Sequence, residues 1–243
     1  PRIRPARQLQ RSLRATIQQL PADVRWALRD IAASDNGVVI AQALRDGTAV
    51  AVSDGSFKDK FGTAAWVIEG RRSDGRLEGQ CIIPGGPEDQ SAYRSELGGL
   101  YAIAAMVQVI CELHNIQEGS IEVACDGMNA LAQVGEADPI IRPNGAQYDI
   151  IAATQAKIKR TNIQWKMRHV MGHQDDTQGC TVMDRWETLN CRMDEQAKQH
   201  WLQHSTRTTR VQAAVDGKPW AVWTGSSKIC GRLAAQVIEH VRG

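Results

Sequence analysis

The sequence has no apolar run approaching the length of a membrane span, no Cys-x-x-Cys pair, no internal repeat and no low-complexity tract. Each absence excludes something. Without a span-length run nothing in the sequence argues for a membrane-crossing helix, and the opening Pro1-Arg-Ile-Arg-Pro-Ala-Arg7 lacks the apolar centre of a signal peptide. Six cysteines without paired spacing (Cys81, Cys111, Cys125, Cys180, Cys191, Cys230) read as reduced, buried thiols of an intracellular compartment, cytoplasm or nucleus. An initiator methionine is also missing, which reads as a piece of a longer polypeptide. There is no large charge excess either, since the formal net charge is +2.

What is present is ordinary soluble composition: 243 residues, 42% hydrophobic and 23% charged, enough for one substantial core or two small ones. The near-neutral total hides an asymmetry. Residues 1–47 hold eight arginines against four aspartates, a net of +4, which leaves −2 for residues 48–243. We therefore expect a basic linker or appendage over 1–47, a catalytic domain over 48–204, and a C-terminal extension, a hairpin and a helix, over 205–243.

The central stretch is Thr48-Ala-Val-Ala-Val-Ser-Asp54-Gly55-Ser56, a buried strand expected to end where an acid meets glycine. A turn near Ser56 to Phe61 leads to a second strand at Thr63 to Ile68, and another turn at Arg71 to Gly75 to a third near Leu77 to Ile83, an antiparallel meander. Beyond Pro84-Gly-Gly-Pro87, Leu97, Leu100, Tyr101, Ala104, Val107 and Ile110 recur at helical spacing, with Glu96 at the start of that helix. Ile121-Glu-Val-Ala-Cys-Asp126-Gly127 then repeats the opening design, so the two acid-tipped strands should be parallel neighbours across a βαβ crossover.

Helices are expected near Met128 to Val134 and Ala146 to Arg160, and a strand over Asn162 to Val170. A basic group, Lys157, Lys159, Arg160, Lys166 and Arg168, reads as a solvated face with phosphate binding as the alternative. Gly172-His173-Gln-Asp-Asp176 opens a polar loop. A helix then carries Leu189, Met193, Ala197 and Trp201 on one side and Asp194 near its start.

Four acids thus fall at strand ends or helix starts: Asp54, Glu96, Asp126 and Asp194. Asp175, Asp176, Asp184 and Glu187 lie nearby, but only Asp194 combines a helical face with a polar residue, Asn190, one turn before it. Carboxylates this close repel unless neutralised, and an all-oxygen set suits a hard cation, Mg²⁺ or Mn²⁺. Two such ions about 4 Å apart are the clamp used to cleave phosphodiesters. Cys180, Cys191, His200 and His204 offer a zinc-like set instead, but the cysteines are distant and Cys191 suits a helix core.

Residues 48–204 resemble the ribonuclease H family, the hybrid-specific type found as free enzymes and within reverse transcriptases. The resemblance lies in Ser-Asp54-Gly-Ser, Tyr-Arg-Ser-Glu96-Leu, Ala-Cys-Asp126-Gly, Asp194 within Leu-Asn-Cys-Arg-Met-Asp-Glu-Gln-Ala, and the order of elements that carries them. It implies a ribonuclease H-like α/β fold with a five-stranded mixed sheet, three antiparallel strands then two parallel, flanked by helices. It implies two Mg²⁺ ions, Mn²⁺ able to substitute, on Asp54, Glu96, Asp126 and Asp194, with His173 helping product leave or moving a proton. Hydrolysis of the RNA strand of RNA/DNA hybrids follows, with Gly55, Ser56, Ser91, Arg94 and Asn190 as candidate substrate contacts.

The wording of the motifs is most like copies in retroelement polyproteins, so an upstream reverse transcriptase domain is an expected partner. Some features depart from the family. Ala92 and Tyr93 stand where asparagines commonly read the RNA strand, the loop between His173 and Asp194 is long, and the basic protrusion of some members is missing between Gly135 and Gly145. Alternatives fit less well: an integrase wants an acid where Thr161 stands, and an acidic exonuclease wants Asp-x-Glu where the chain has Asp54-Gly55-Ser56. A non-catalytic hybrid-binding module would lack an acid, and none is lacking.

Overall fold

The computed structural model describes residues 12–70, 75–135, 147–172 and 183–206 and the short strands 223–224 and 227–228. The chain begins with α1 (Leu13–Gln18), capped by the Ser12 hydroxyl accepting from the Ala15 amide, and α2 (Ala22–Arg25), which continues into a 3₁₀ turn at Trp26–Leu28. Strand β1 (Asp30–Ala33) and helix α3 (Val38–Arg45) complete this N-terminal region. Ile31, which falls in helical register with Val24, Ala27 and Leu28, lies in β1 instead.

Next come β2 (Ala49–Lys58), β3 (Phe61–Glu69) and β4 (Arg76–Ile82), then the long α4 (Ala92–His114). Strand β5 (Ser120–Cys125), helices α5 (Met128–Gly135) and α6 (Tyr148–Arg160), strand β6 (Gln164–His169) and helix α7 (Arg185–His204) follow. Beyond them β7 (Trp223–Thr224) and β8 (Ser227–Lys228) pair antiparallel; the hairpin expected over Val211 to Trp223, its last residue apart, and the helix expected from Ile229 to Val241 lie outside the described residues.

The sheet runs β1-β4-β3-β2-β5-β6. The meander β2-β3-β4 is antiparallel and β2-β5-β6 is parallel, the mixed arrangement that the ribonuclease H resemblance implies. The sheet has six strands rather than five, because β1, from the segment read as an appendage, adds to β4 with Asp30 opposite Gln80 and Ala33 opposite Leu77. That segment also enters the common core: Leu13, Ile17, Trp26, Leu28 and Leu44 are buried in one cluster with α4, and Trp26 stacks on Tyr101 at 5.0 Å between ring centres. Arginines dominate its sequence and hide a sparse apolar set that is almost fully buried.

The pleat sorts the core into two layers. Ala49, Ala51, Ala64, Trp66 and Ile68 point to the α4 face, whereas Val52, Ala65 and Val67 join Leu189, Met193 and Ala197 of α7 on the other. Strand β3 is buried at every position, so it shows no polar alternation. Among the described residues α4 is the one helix long and apolar enough to span a membrane, contrary to the sequence reading. It is covered by the sheet, α6 and the N-terminal elements, as befits the central helix of a core.

Strand β2 does not stop at Asp54. It runs on to Lys58, and Asp59 and Lys60, both with positive φ, make the two-residue turn that pairs Lys58 with Phe61. What ends near Asp54 is the parallel ladder: β5 pairs with β2 only as far as Val52 opposite Ala124. Past that point β2 has a neighbour on one side alone, and the opening so formed is where the acids gather.

Candidate active site

Asp54 has the parity of Val52, so its carboxylate leaves the sheet toward α7. It is 4% exposed. Its Oδ1 accepts from the Gly55 amide at 2.6 Å, and Asn190 on α7 reaches its Oδ2 with Nδ2 at 3.4 Å. Glu96 arrives from the second turn of α4, on the opposite face. Asp126 follows β5 directly, with the Cys125 thiol between the two: Sγ lies 3.0 Å from Glu96 Oε2 and 3.9 Å from Asp126 Oδ1. Asp194 sits in the middle of α7 rather than near its start, where its Oδ2 accepts from Lys198 Nζ at 2.6 Å, one turn on.

The electrostatics tie the four together. Burial, then Asp126, then Asp194 push the Asp54 carboxyl up to about 8. Burial, then Asp54, then Asp126 hold Glu96 well above the usual carboxylate range. The Cys125 thiol is likewise raised, by burial first and by Glu96 second, so it stays protonated and donates to Glu96. Burial and neighbouring acids together disfavour the charged forms of Asp54 and Glu96, and a cation is the group that would relieve both.

The donor set fits a hard divalent ion, since oxygens from Asp54, Glu96, Asp126 and Asp194 come from four different elements to one opening. Glu96, Cys125 and Asp126 place their ligand atoms within 4.8 Å of one another. Cys125 is the residue the sequence reading missed at this site. Its only signal was its place immediately before Asp126, and an apolar strand made it look like core.

Of the expected substrate contacts, several turn out to be occupied. Arg94 is 2% exposed and forms a two-pronged pair with Asp149 (3.0 and 2.9 Å), while its Nε donates to the Pro84 carbonyl and Nη1 to Gln147. It fastens α4 to the start of α6 and offers no charge to a ligand. Ser91 caps α4, its hydroxyl accepting from the Arg94 amide at 3.0 Å. Gly55, another candidate substrate contact, is needed for close packing within the fold. A methyl there would meet the Ser95 and Glu96 backbone at 2.6 Å, so α4, not a phosphate, fills the space, and the Gly55 amide is committed to Asp54.

Ser56 is half-buried, and its carbonyl accepts from the Ser95 hydroxyl. Asn190 is 1% exposed and holds Asp54. Gly172 lies against Asp126, where a methyl would come within 2.5 Å of Oδ2. His173 and the neighbouring Asp175 and Asp176 lie outside the described residues. Asp184 and Glu187, weighed as alternative fourth acids, form the capping box that starts α7.

The other sequence candidates disperse. Lys157 is buried with its Nζ 5.3 Å from the Tyr101 ring centre; Arg168 is exposed but pairs with Glu122 and lies over the Trp186 ring, and Lys159, Arg160 and Lys166 are exposed as well. Cys191 is half-buried rather than core, the His200 and His204 rings lie 4.2 Å apart and tilted to each other, and Cys180 lies outside the described residues.

No family model matches the chain, and no curated protein matches it. Solved structures similar to it include the N-terminal ribonuclease H domain of a Mycobacterium tuberculosis protein, fused to maltose-binding protein (14% identity, TM-score 0.42, 65% of this chain and 98% of that one). Another is ribonuclease H1 from the halophilic archaeon Halobacterium salinarum (17% identity, TM-score 0.41, 64% and 98%). A third is LC11-RNase H1 in complex with an RNA/DNA hybrid (12% identity, TM-score 0.43, 62% and 94%). At such identities and scores the likeness transfers no activity.

Proposed function

We propose that the chain is a metal-dependent endonuclease that hydrolyses the RNA strand of RNA/DNA hybrids. The observation that carries the reading is the grouping of acids at the opening beside β2: Glu96 and Asp126 bring their carboxylate oxygens together, and burial first, then the neighbouring acids, raise the Asp54 and Glu96 carboxyls. Such a grouping is expensive to maintain for a purely structural purpose.

In this reading the four carboxylates hold Mg²⁺, with Mn²⁺ able to substitute. Bound there, the metal supplies an activated water and neutralises charge on the phosphodiester. The chain's own residues do the positioning. Asn190 and the Gly55 amide fix the two Asp54 oxygens, and Cys125 orients Glu96. Lys198 balances Asp194. Ala92, Phe57 and Lys58 are exposed, and Tyr93 and Ser56 half-exposed, on the elements that flank the opening, a surface for the nucleic acid. His173 takes part in proton movement or product release, and cleavage leaves 3′-hydroxyl and 5′-phosphate ends. The motif wording supports a finer reading, that the domain works within a retroelement polyprotein beside a reverse transcriptase.

The test is incubation of the protein with labelled RNA/DNA hybrid, RNA duplex and DNA duplex in Mg²⁺. Cutting confined to the RNA of the hybrid, lost on chelation and in Asp54→Asn, is the expected outcome. Equal cutting of all three duplexes would overturn the substrate, and no cutting of any would overturn the activity.

A further inference from the structure

The acids are what a ribonuclease H resemblance predicts; the thiol among them is not. Cys125 is fully buried from solvent, yet its Sγ faces the site, 3.0 Å from Glu96 Oε2 and 3.9 Å from Asp126 Oδ1, with the Gly127 amide donating to it at 3.3 Å. A single ion bonded to sulfur at about 2.3 Å and to oxygen at about 2.0–2.2 Å holds its donors roughly 3–4 Å apart. The three ligand atoms, all within 4.8 Å of one another, already have nearly that spacing.

A second observation points to a bound species at the same opening. Asn190 is buried and gives Nδ2 to Asp54, while its Oδ1 is buried without a partner among the described residues. A buried acceptor left unpaired is costly, and water carried on a cation would supply its donor.

We infer that Cys125 is a third, soft donor of this site, so that Glu96, Cys125 and Asp126 form a subsite for a thiophilic divalent cation, Zn²⁺ or Cd²⁺, which competes with Mg²⁺. On binding, the S–H bond breaks, a sulfur–metal bond forms and the proton leaves to solvent; no atom changes oxidation state. The thiol's hydrogen bond to Glu96 is replaced by the ion bridging the same two atoms. Sulfur adds affinity for a soft ion and none for Mg²⁺, so the residue sets metal preference. The competition with Mg²⁺ rests on the hydrolase reading; the ligation by sulfur does not.

The experiment is titration of the full chain with Cd²⁺, following the ultraviolet thiolate-to-cadmium charge-transfer absorbance, for the wild type, Cys125→Ser and Cys125→Ala. Metal-free melting temperatures serve as the folding control. Both variants should lose the absorbance of one cadmium–sulfur bond and bind Cd²⁺ roughly tenfold more weakly. The loss of Cd²⁺ affinity in each variant should exceed any loss of the rise in melting temperature produced by Mg²⁺, a split that a merely structural thiol would not produce. Identical cadmium absorbance in wild type and folded variants overturns the inference. Should the variants fail to fold, the wild type still decides: excess Mg²⁺ should abolish part of its cadmium band, and a band indifferent to Mg²⁺ overturns it. Cleavage of hybrid in Mg²⁺ by the same preparation keeps the readings apart. No cutting with a Cys125-dependent band removes only the hydrolase, and cutting without such a band removes only the soft subsite.

Discussion

A carboxyl group that is 4% exposed and faces two other acids is costly to ionise, and Asp54 is in that position. In the unfolded chain it ionises near 3.8, and in the folded protein near 8, so between those pH values the native state holds a proton the unfolded state does not. The stability it contributes is therefore complete below about 3.8 and is lost as pH rises through about 8. Asp54→Asn removes this dependence. Without divalent ions, the variant should be more stable than the wild type at pH 8 by on the order of 2–4 kcal/mol, and the two should converge near pH 4, measured by denaturant unfolding. A difference that does not change with pH would contradict the assigned burial. Arg94 is the opposite case, a charge satisfied on every side. Arg94→Met leaves Asp149 buried and unpaired, and should cost about 3–5 kcal/mol of stability while the folded fraction still binds hybrid with unchanged affinity. Weaker binding at full stability would return Arg94 to the substrate.

At the scale of elements, the acids depend on how closely α4 lies on β2. Gly55 is the contact: a methyl there meets the Ser95 and Glu96 backbone at 2.6 Å, and backbone cannot swing aside as a side chain can. Gly55→Ala should cost about 1–3 kcal/mol and displace Glu96, lowering kcat far more than KM in the hybrid assay. Wild-type kcat in the alanine variant would show that α4 has slack. This contact also marks what the sequence could convey. The β2-β3-β4 meander and the βαβ crossover were legible, because apolar runs bounded by turn residues and helical spacing are local signals. Three things were not: that β2 runs past Asp54, that Arg94 turns inward to Asp149, and that Cys125 faces the acids. Each is decided by what packs opposite, and β2's extent depends on a two-residue turn, Asp59-Lys60, without the glycine that usually announces one.

Across the whole molecule the same limit applies to the first described segment. Five arginines in the first fourteen residues made residues 1–47 read as a basic linker or appendage, although Val24, Ala27, Leu28 and Ile31 fall at helical spacing. Yet Leu13, Ile17, Trp26, Leu28 and Leu44 are each no more than 5% exposed, Trp26 stacks on Tyr101 of the helix that bears Glu96, and β1 covers the edge of β4. Full burial of a large apolar side chain is worth about 1.5–3 kcal/mol. Losing five amounts to roughly 10 kcal/mol, as large as the whole stability of an ordinary domain. An uncovered β4 would also present an open sheet edge. A chain beginning at Thr48 is therefore expected to show no cooperative thermal transition, to aggregate, and to cut no hybrid, even though it keeps all four acids. Calorimetry beside the full chain is the check. A cooperative transition at the full chain's temperature, with hybrid cleavage intact, would show that the core closes without the N-terminal segment and that the boundary at residue 48 is a true one.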